Sequence, residues 1–169
     1  MCLRFFILIL CLNVLISCSD NPNRQAEVPA KTDSSVSDNY IRSQGLDIEP
    51  ALKNTDSLQI LFYDNPDGDS LRYTRFYQYA TSKDSILINA VLADLNQPFE
   101  QRSEVKKCRS EGKMYMYGGA NPLKTIYFST RCDSCCYFYF IKEGNFLYFP
   151  LSDKMSANLK EIKATAKKP

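Results

Sequence analysis

Residues 124–151, KTIYFSTRCDSCCYFYFIKEGNFLYFPL, decide the fold of this chain. They contain three short runs rich in aromatic and other apolar residues, 124–130, 136–142 and 146–151, which are separated by polar or glycine-containing turns. Runs of this kind, bounded by turn formers, predict strands. The run YFYFI at 137–141 is apolar on both faces, so it predicts a central strand that is covered on both sides, or one with an aromatic exposed face.

The segments around this stretch predict three more strands and two helices. Alternating or aromatic-rich runs predict the strands, and apolar residues at steps of three and four predict the helices. The strands are residues 58–63, 71–80 and 106–117, and the helices are residues 84–95 and the segment that Ser152 can cap. The β-branched residues of 84–95 would also suit a strand. The order ββαββββα predicts an α+β fold, in which an antiparallel sheet of about six strands is packed by two helices.

The composition narrows the function. The 169 residues are 44% hydrophobic and include no histidine, which excludes Ser-His-Asp and Cys-His nucleophile pairs and Cys2His2 zinc sites. The formal net charge of +2, with no concentrated basic segment, gives no reason to expect a nucleic-acid partner. A glycine-rich phosphate loop is also absent, and the spacing of the carboxylates selects no catalytic pair. We therefore predict no cofactor and favour a non-catalytic protein over an enzyme.

The N-terminal segment predicts export. One basic residue, Arg4, precedes the apolar run FFILILCLNVLI at 5–16, which has the length of a signal-peptide core and is shorter than the roughly 20 residues of a spanning helix. Leu15-Ile16-Ser17-Cys18 resembles the lipobox of bacterial lipoprotein precursors. The resemblance implies that residues 1–17 are removed as a signal peptide, and that Cys18 is acylated, with palmitate among the chains, and anchors the protein to a lipid bilayer. The alternative is cleavage at another small residue, with Cys18 an ordinary cysteine.

The residues that follow predict a tether and then one domain. Residues 18–56 are rich in Ser, Asp, Asn and Pro and predict a flexible polar tether, although 40–52 has scattered apolar residues that can dock. Residues 57–169 are then the single α+β domain. Ser19 after the cysteine resembles Gram-negative lipoproteins sorted to the outer membrane, so we expect a lipid-anchored protein there, with its side of the membrane left open. The chain also loosely resembles small lipoproteins of Bacteroidota, and that resemblance implies no activity.

Four cysteines remain after those of the N-terminal segment. An even number in an exported domain predicts disulfides. If Tyr117 lies opposite Lys124, Cys108 comes within one residue of facing Cys132, and we predict that bridge. Cys135 and Cys136 would stay reduced, pair with each other or exchange with Cys132. Two alternatives stay open: a structural zinc site with Cys108 as a remote ligand, and a thiol-redox centre in the cluster of Cys132, Cys135 and Cys136.

Tyrosines crowd the predicted strands and suggest a binding face. Their rings are large, rigid and half polar, which suits contact with an envelope protein or a glycan. Core packing and cross-strand pairing are the alternative explanation. The candidate residues are Tyr73, Tyr77, Tyr115, Tyr117, Tyr137 and Tyr139. The sequence thus predicts a membrane-anchored envelope module that binds or scaffolds a partner without catalysis, with a thiol-redox or zinc protein as the alternative.

Overall fold

The computed structural model describes residues 40–68, 77–132 and 135–169. Within them, eight strands form one antiparallel sheet, which is packed by three α-helices and a short 3-10 helix. The strands are β1 (Tyr40–Gln44), β2 (Ser57–Tyr63), β3 (Tyr77–Ser82), β4 (Pro98–Arg102), β5 (Gly112–Gly118), β6 (Asn121–Arg131), β7 (Cys135–Lys142) and β8 (Asn145–Pro150). The helices are α1 (Gly45–Ile48), the 3-10 helix (Pro50–Asn54), α2 (Ser85–Leu95) and α3 (Asp153–Thr165). The α+β class with an antiparallel sheet is confirmed.

The strand order places β7 inside the sheet. The order is β1-β4-β8-β7-β6-β5-β2-β3, and Phe138 of β7 lies opposite Phe128 on one side and Phe149 on the other. Phe138 is fully buried on the helix side, whereas Tyr137 and Tyr139 are buried on the opposite side. The sequence allows β7 to be covered on both sides or to have an exposed aromatic face. In the structure it is covered on both sides.

One face of the sheet carries the main hydrophobic core. Successive strand residues point to opposite faces, so every second residue of the inner strands packs against the helices. The N-cap residues start two of these helices: the Asp84 carboxylate accepts from Ile86 N (2.9 Å), and the Ser152 hydroxyl accepts from Met155 N (3.2 Å). Fully buried members of this core are Leu52, Leu58, Ile60, Leu95, Met114, Met116, Ile126, Phe138, Phe140, Met155 and Leu159.

The domain starts earlier than the sequence suggests. The sequence predicts that residues 40–56 belong to the tether, but they form β1, α1 and the 3-10 helix, and Leu46 and Leu52 are buried in the main core. The two leucines supply enough apolar surface to hold an otherwise polar segment on the domain. The structure also adds β1 and β4 to the six predicted strands. The signal peptide, Cys18, tether residues 18–39 and Tyr73 lie outside the described residues.

The edge strand β3 is partly closed by the end of the chain. Tyr79 and Lys167 exchange two backbone hydrogen bonds, of 2.8 and 2.9 Å. The residues after α3 thus return across the helix face and protect part of an edge that would otherwise present unpaired backbone groups. Among the described residues, no helix has both the length and the apolar character needed to cross a membrane.

Candidate functional site

The face of the sheet opposite the helices carries most of the candidate site residues. We call it the tyrosine face. Directly opposed residues on antiparallel strands share a face, and their pairing draws one row across it. From β4 to β3 the row reads Glu100, Tyr148, Tyr139, Tyr127, Lys113, Leu61 and Tyr79. The face is divided into a covered half and an open half.

Residues 103–111, which we call the covering loop, lie over the half built from β7 and β8. Beneath it Tyr137, Tyr139 and Tyr148 are only 4%, 7% and 3% exposed. The loop also satisfies their phenols: the Tyr137 hydroxyl donates to Cys108 O (2.6 Å), and the Tyr148 hydroxyl accepts from Lys106 N (2.8 Å). A second small hydrophobic cluster therefore forms on this side of the sheet.

Burial changes the acidity of these phenols. It raises the pKa of Tyr137 to about 12 and also raises the pKa of Tyr139 and of Tyr148, because the charged phenolate would lose its hydration. The three groups are neutral hydrogen-bonding anchors near neutral pH. They hold the loop and are not available as a platform for a ligand.

Three charged side chains lie at the edge of the covered half. The Lys106 ammonium lies 4.7 Å from the centre of the Tyr148 ring and 2.6 Å from one carboxylate oxygen of Glu100. Arg102 contacts the other oxygen of that carboxylate at 2.9 Å. Burial acts to raise the pKa of Glu100, but its two cationic partners outweigh that effect and the pKa is lowered. The arrangement fixes the start of the covering loop through a cation–π contact and an ion pair.

A disulfide fixes the end of the same loop. Cys108 and Cys135 are bridged, with their Cα atoms 5.9 Å apart, and Cys135 is buried at the start of β7. Beyond it, the Glu111 carboxylate accepts from Thr130 N (2.5 Å) and from the Thr130 hydroxyl (2.8 Å). The covering loop is thereby attached to the sheet at both ends.

The second disulfide lies on the helix side. Cys136 is bridged to the exposed Cys132, with their Cα atoms 4.2 Å apart, and its Sγ contacts Leu151 O (3.4 Å). The neighbours Cys135 and Cys136 point to opposite faces because they are consecutive in a strand. One therefore braces the covering loop, and the other braces the turn that leads into β7.

The predicted Cys108–Cys132 bridge is wrong. The predicted register between β5 and β6 is one residue off, since Lys124 lies opposite Met116 and not Tyr117. However, β5 begins only at Gly112, and before it the chain crosses onto the tyrosine face, where Cys108 meets Cys135. The presence of disulfides in this domain was predicted correctly, and their connectivity was not.

The four sulfurs do not converge on one point. Two of them lie on each side of the sheet and both pairs are oxidised, whereas a zinc site needs thiolates around a single ion. In the described parts of the chain, no group of three or more His, Cys, Asp or Glu side chains is arranged to hold a metal.

The open half of the tyrosine face lies over β2, β3 and β5. Tyr115 and Tyr117 stand side by side with ring centres 6.5 Å apart, and both are half-buried. The Tyr117 hydroxyl donates to the Gln59 side-chain oxygen (3.3 Å), and the Lys113 ammonium lies 5.1 Å from the centre of the Tyr115 ring. These contacts fix the two rings from either side.

An open groove of about 490 Å³ runs beside the Tyr117 ring. We call it the β2–β3–β5 groove, and it is lined by Ser57, Leu58, Gln59, Thr81, Ser82, Lys83 and Tyr117. Hydroxyls, one amide, one ammonium and one aromatic ring thus face a shared space. The lining combines apolar surface with a few directional polar groups, which is the usual chemistry of a small-ligand site.

The structure separates the tyrosines that the sequence grouped together. Tyr137 and Tyr139 belong to the covered half, Tyr115 and Tyr117 to the open half, and Tyr77 lies opposite Tyr63 at the far end of β2 and β3. The polar groove residues were missed. Their signal was the alternation of β2, which puts Gln59 and Ser57 on the face of the paired tyrosines once the register is known.

Comparisons with known proteins give no relative from which a role can be read. The chain matches no protein-family model, and neither the curated proteins nor the solved structures contain a significant match.

Proposed function

We propose that this protein is a lipid-anchored module of the bacterial envelope, and that it binds another envelope component without catalysing a reaction. The acylated Cys18 would hold it to the bilayer, with the outer membrane as the favoured location. Binding would take place at the open half of the tyrosine face. The observation that carries the proposal is the division of that face, in which one set of tyrosines is covered by a braced loop and the other is left accessible beside a groove.

The geometry supports a rigid binding surface. Tyr115 and Tyr117 project from an inner strand, and their rings are held by Lys113 and Gln59. Side chains that are already fixed lose little rotamer freedom when a partner binds, so more of the contact energy is retained in the affinity. Tyrosine is also enriched at interfaces because one ring supplies both apolar area and a hydroxyl.

The two disulfides are consistent with the proposed location in the cell envelope. Disulfides persist in oxidising compartments and are rare where thiols are kept reduced. Two bridges, both formed within residues 108–136, agree with an exported domain. The tether that the sequence predicts before residue 40 would give the domain reach above the lipid headgroups.

Site-specific crosslinking in native envelopes tests the binding surface. A photo-reactive amino acid replaces Tyr117 in one variant and the exposed Lys160 on α3, on the opposite side of the sheet, in a matched control. We expect a discrete crosslinked species from position 117 that is absent from position 160. The same products from both positions, or none from position 117, would overturn the proposed surface.

Metabolic labelling tests the anchor. We expect palmitate label on the wild-type protein and none on Cys18→Ser, which should also accumulate as an unprocessed precursor. Label that survives the substitution, or a wild-type chain without label, would refute acylation at this residue.

Thiol-redox chemistry is the second candidate. It is favoured by one observation: Cys132 is exposed, so a soluble dithiol can reach its bridge to Cys136. Intact-mass analysis of the mature protein with and without reductant, together with its zinc content, separates the two candidates. We expect two stable disulfides and no zinc. Bound zinc, or a reactive thiol pair whose activity is lost in Cys132→Ser at unchanged stability, would favour the second candidate instead.

A further inference from the structure

We infer that the outer face of α2 is a contact surface for a second copy of this chain, which packs against it antiparallel about a two-fold axis. The inference goes beyond the proposed function, because it concerns the helix side of the sheet and leaves the tyrosine face free. We call this surface the uncharged α2 face, and we define it by the exposed residues Ile86, Asn89 and Ala93.

The face is unusual because no exposed residue of α2 is charged. Asp94 is buried, and its carboxylate accepts from Ser152 N (2.9 Å) and from the Ser152 hydroxyl (3.0 Å). Ile86 is 73% exposed, more than any other large hydrophobic residue in the described parts of the chain. One exposed apolar side chain needs no explanation, but the outer face of a helix in water usually carries charged residues.

The helix α3 provides a comparison within the same layer. It packs against the same core, and five of its 13 residues are both charged and exposed. They are Asp153, Lys154, Lys160, Glu161 and Lys163. The outer surface of α3 is therefore typical of a helix that faces water, whereas that of α2 suits contact with another neutral surface.

The spacing along α2 favours its own copy as the occupant. Ile86, Asn89 and Ala93 are three and four positions apart, so they form one row along the helix. In an antiparallel two-fold pair, Ile86 of each copy meets the small Ala93 of the other, and the two contacts are reciprocal. Parallel helices would instead pack Ile86 on Ile86 and Ala93 on Ala93, and one spacing between the helices cannot close both contacts.

The same register brings Asn89 of the two copies together. If residue 86 is paired with residue 93, the two-fold axis passes between residues 89 and 90. An amide both donates and accepts, so the two Asn89 side chains can form hydrogen bonds with each other across the axis. A polar pair of this kind fixes the register of paired helices.

Charge and size define the kind of contact. A charged residue close to a two-fold axis is repelled by its own copy, and the uncharged α2 face avoids this repulsion. α2 has 11 residues, so the contact is about 16 Å long and about 10 Å wide. This is well below the roughly 800 Å² per partner of a stable interface, so the dimer is a weak one. Its strength rests on the proposed lipid anchor, which would hold the copies at one membrane and raise their effective concentration.

Site-specific crosslinking of the full-length protein in native envelopes tests the contact. A photo-reactive amino acid replaces Ile86 in one variant and Lys160 of α3 in a matched control, and each variant is co-expressed with two different tags. We expect a crosslinked product that contains both tags from position 86 and none from position 160. Peptide mapping should place the link near Ala93 of the other copy. No product with both tags, or a link to position 86 of the other copy, would overturn the inference.

Charge substitutions test the antiparallel arrangement, with the photo-reactive residue moved to position 89. Ile86→Glu should lower the yield of crosslinked dimer about tenfold, because an apolar contact is replaced by a charge. Adding Ala93→Lys should raise the yield again by about two- to fivefold, because each introduced carboxylate then meets an introduced ammonium of the other copy. Ala157→Glu adds the same charge at an exposed position of α3 and should leave the yield unchanged.

The melting temperature of every variant should match that of the wild type, since all the substituted positions are exposed. A double variant that gives no more dimer than Ile86→Glu alone would refute the arrangement. These results are distinct from a failure of the proposed function. If position 86 links two copies and position 117 gives no product, the dimer stands and the proposed binding surface fails. The opposite pair of results would leave the binding surface and remove the dimer.

Discussion

The two disulfides should differ in how much they stabilise the domain, and the difference can be worked out from the structure. Cys108–Cys135 closes a loop with a sequence separation of 27, whereas Cys132–Cys136 closes one of 4. Loop-closure entropy then gives about 3.5 kcal/mol for the long bridge and about 2 kcal/mol for the short one at room temperature. We therefore expect the long bridge to contribute more by about 1.5 kcal/mol.

Two paired substitutions isolate this difference. The first variant carries Cys108→Ala and Cys135→Ala, and the second carries Cys132→Ala and Cys136→Ala. Each variant keeps one native bridge, so each is the other's control. For a domain of this size, 1 kcal/mol corresponds to about 3–5 °C in melting temperature, and the first variant should melt about 5–8 °C below the second.

Thermal unfolding of the mature protein, followed by circular dichroism without reductant, measures both values. Peptide mapping by mass spectrometry verifies that the remaining bridge has formed in each variant. Equal losses, or a larger loss from removing Cys132–Cys136, would refute the reasoning. The covering loop would then be held mainly by contacts such as the hydrogen bond from Tyr137 to Cys108 O.

Three further predictions concern single side chains. Burial raises the pKa of Tyr137 in the folded state, so its contribution to stability is present below about pH 10 and is lost as the pH rises through about 12. In Tyr137→Phe the unfolding free energy should therefore fall less steeply with rising pH in this range. A slope equal to that of the wild type would count against the prediction. A hydrogen bond from Lys124 lowers the pKa of Glu49, so the ionised carboxylate contributes about 1 kcal/mol to stability at neutral pH, and this contribution is lost as the pH falls. Glu49→Gln should therefore have a lower unfolding free energy than wild type at pH 7 and the same unfolding free energy in acid. A Cβ at Gly112 would collide with Leu61 O in the adjacent strand, so Gly112→Ala should cost about 1–3 kcal/mol in urea unfolding, and a neutral result would contradict the close approach.

The sequence predicts the elements whose patterns are strong. β7 and β8 are dense in aromatic residues and were found nearly at their observed bounds, and α2 has a clear four-residue apolar spacing. In α2, Leu87, Val91 and Leu95 are all buried, so burial on one face resolved the ambiguity that its β-branched residues left. These elements can be predicted from their own residues, because their apolar side chains repeat with the period of a strand or a helix and also form the core.

The elements that were missed have weak local signals. β4, PFEQR, has one buried residue, Phe99, and starts with a proline, so neither alternation nor composition distinguishes it from a loop. It is a strand because β8 and β1 hydrogen-bond to it from either side. Such pairing depends on residues far along the chain and cannot be read from five positions.

The sequence places six tyrosines on one candidate binding face, and the structure separates them. Tyr117 lines a groove, with Tyr115 next to it, whereas Tyr137 and Tyr139 are buried beneath a loop that the sequence gives no reason to place there. Whether a tyrosine on the face of a sheet is buried depends on which segment of the chain packs over it. In this chain the crossing segment is the covering loop, which leaves the line of β5 before Gly112.

The neighbouring Cys135 and Cys136 also bear on how the protein matures. Four thiols can be joined in three ways, and nothing in the unfolded polypeptide directs two adjacent sulfurs towards different partners. Correct pairing requires that β7 has already formed, because only then do the side chains of Cys135 and Cys136 point to opposite faces of the sheet. Oxidation that runs ahead of strand formation would trap mismatched species, so the cell must either let the sheet assemble first or supply an isomerase to correct the errors.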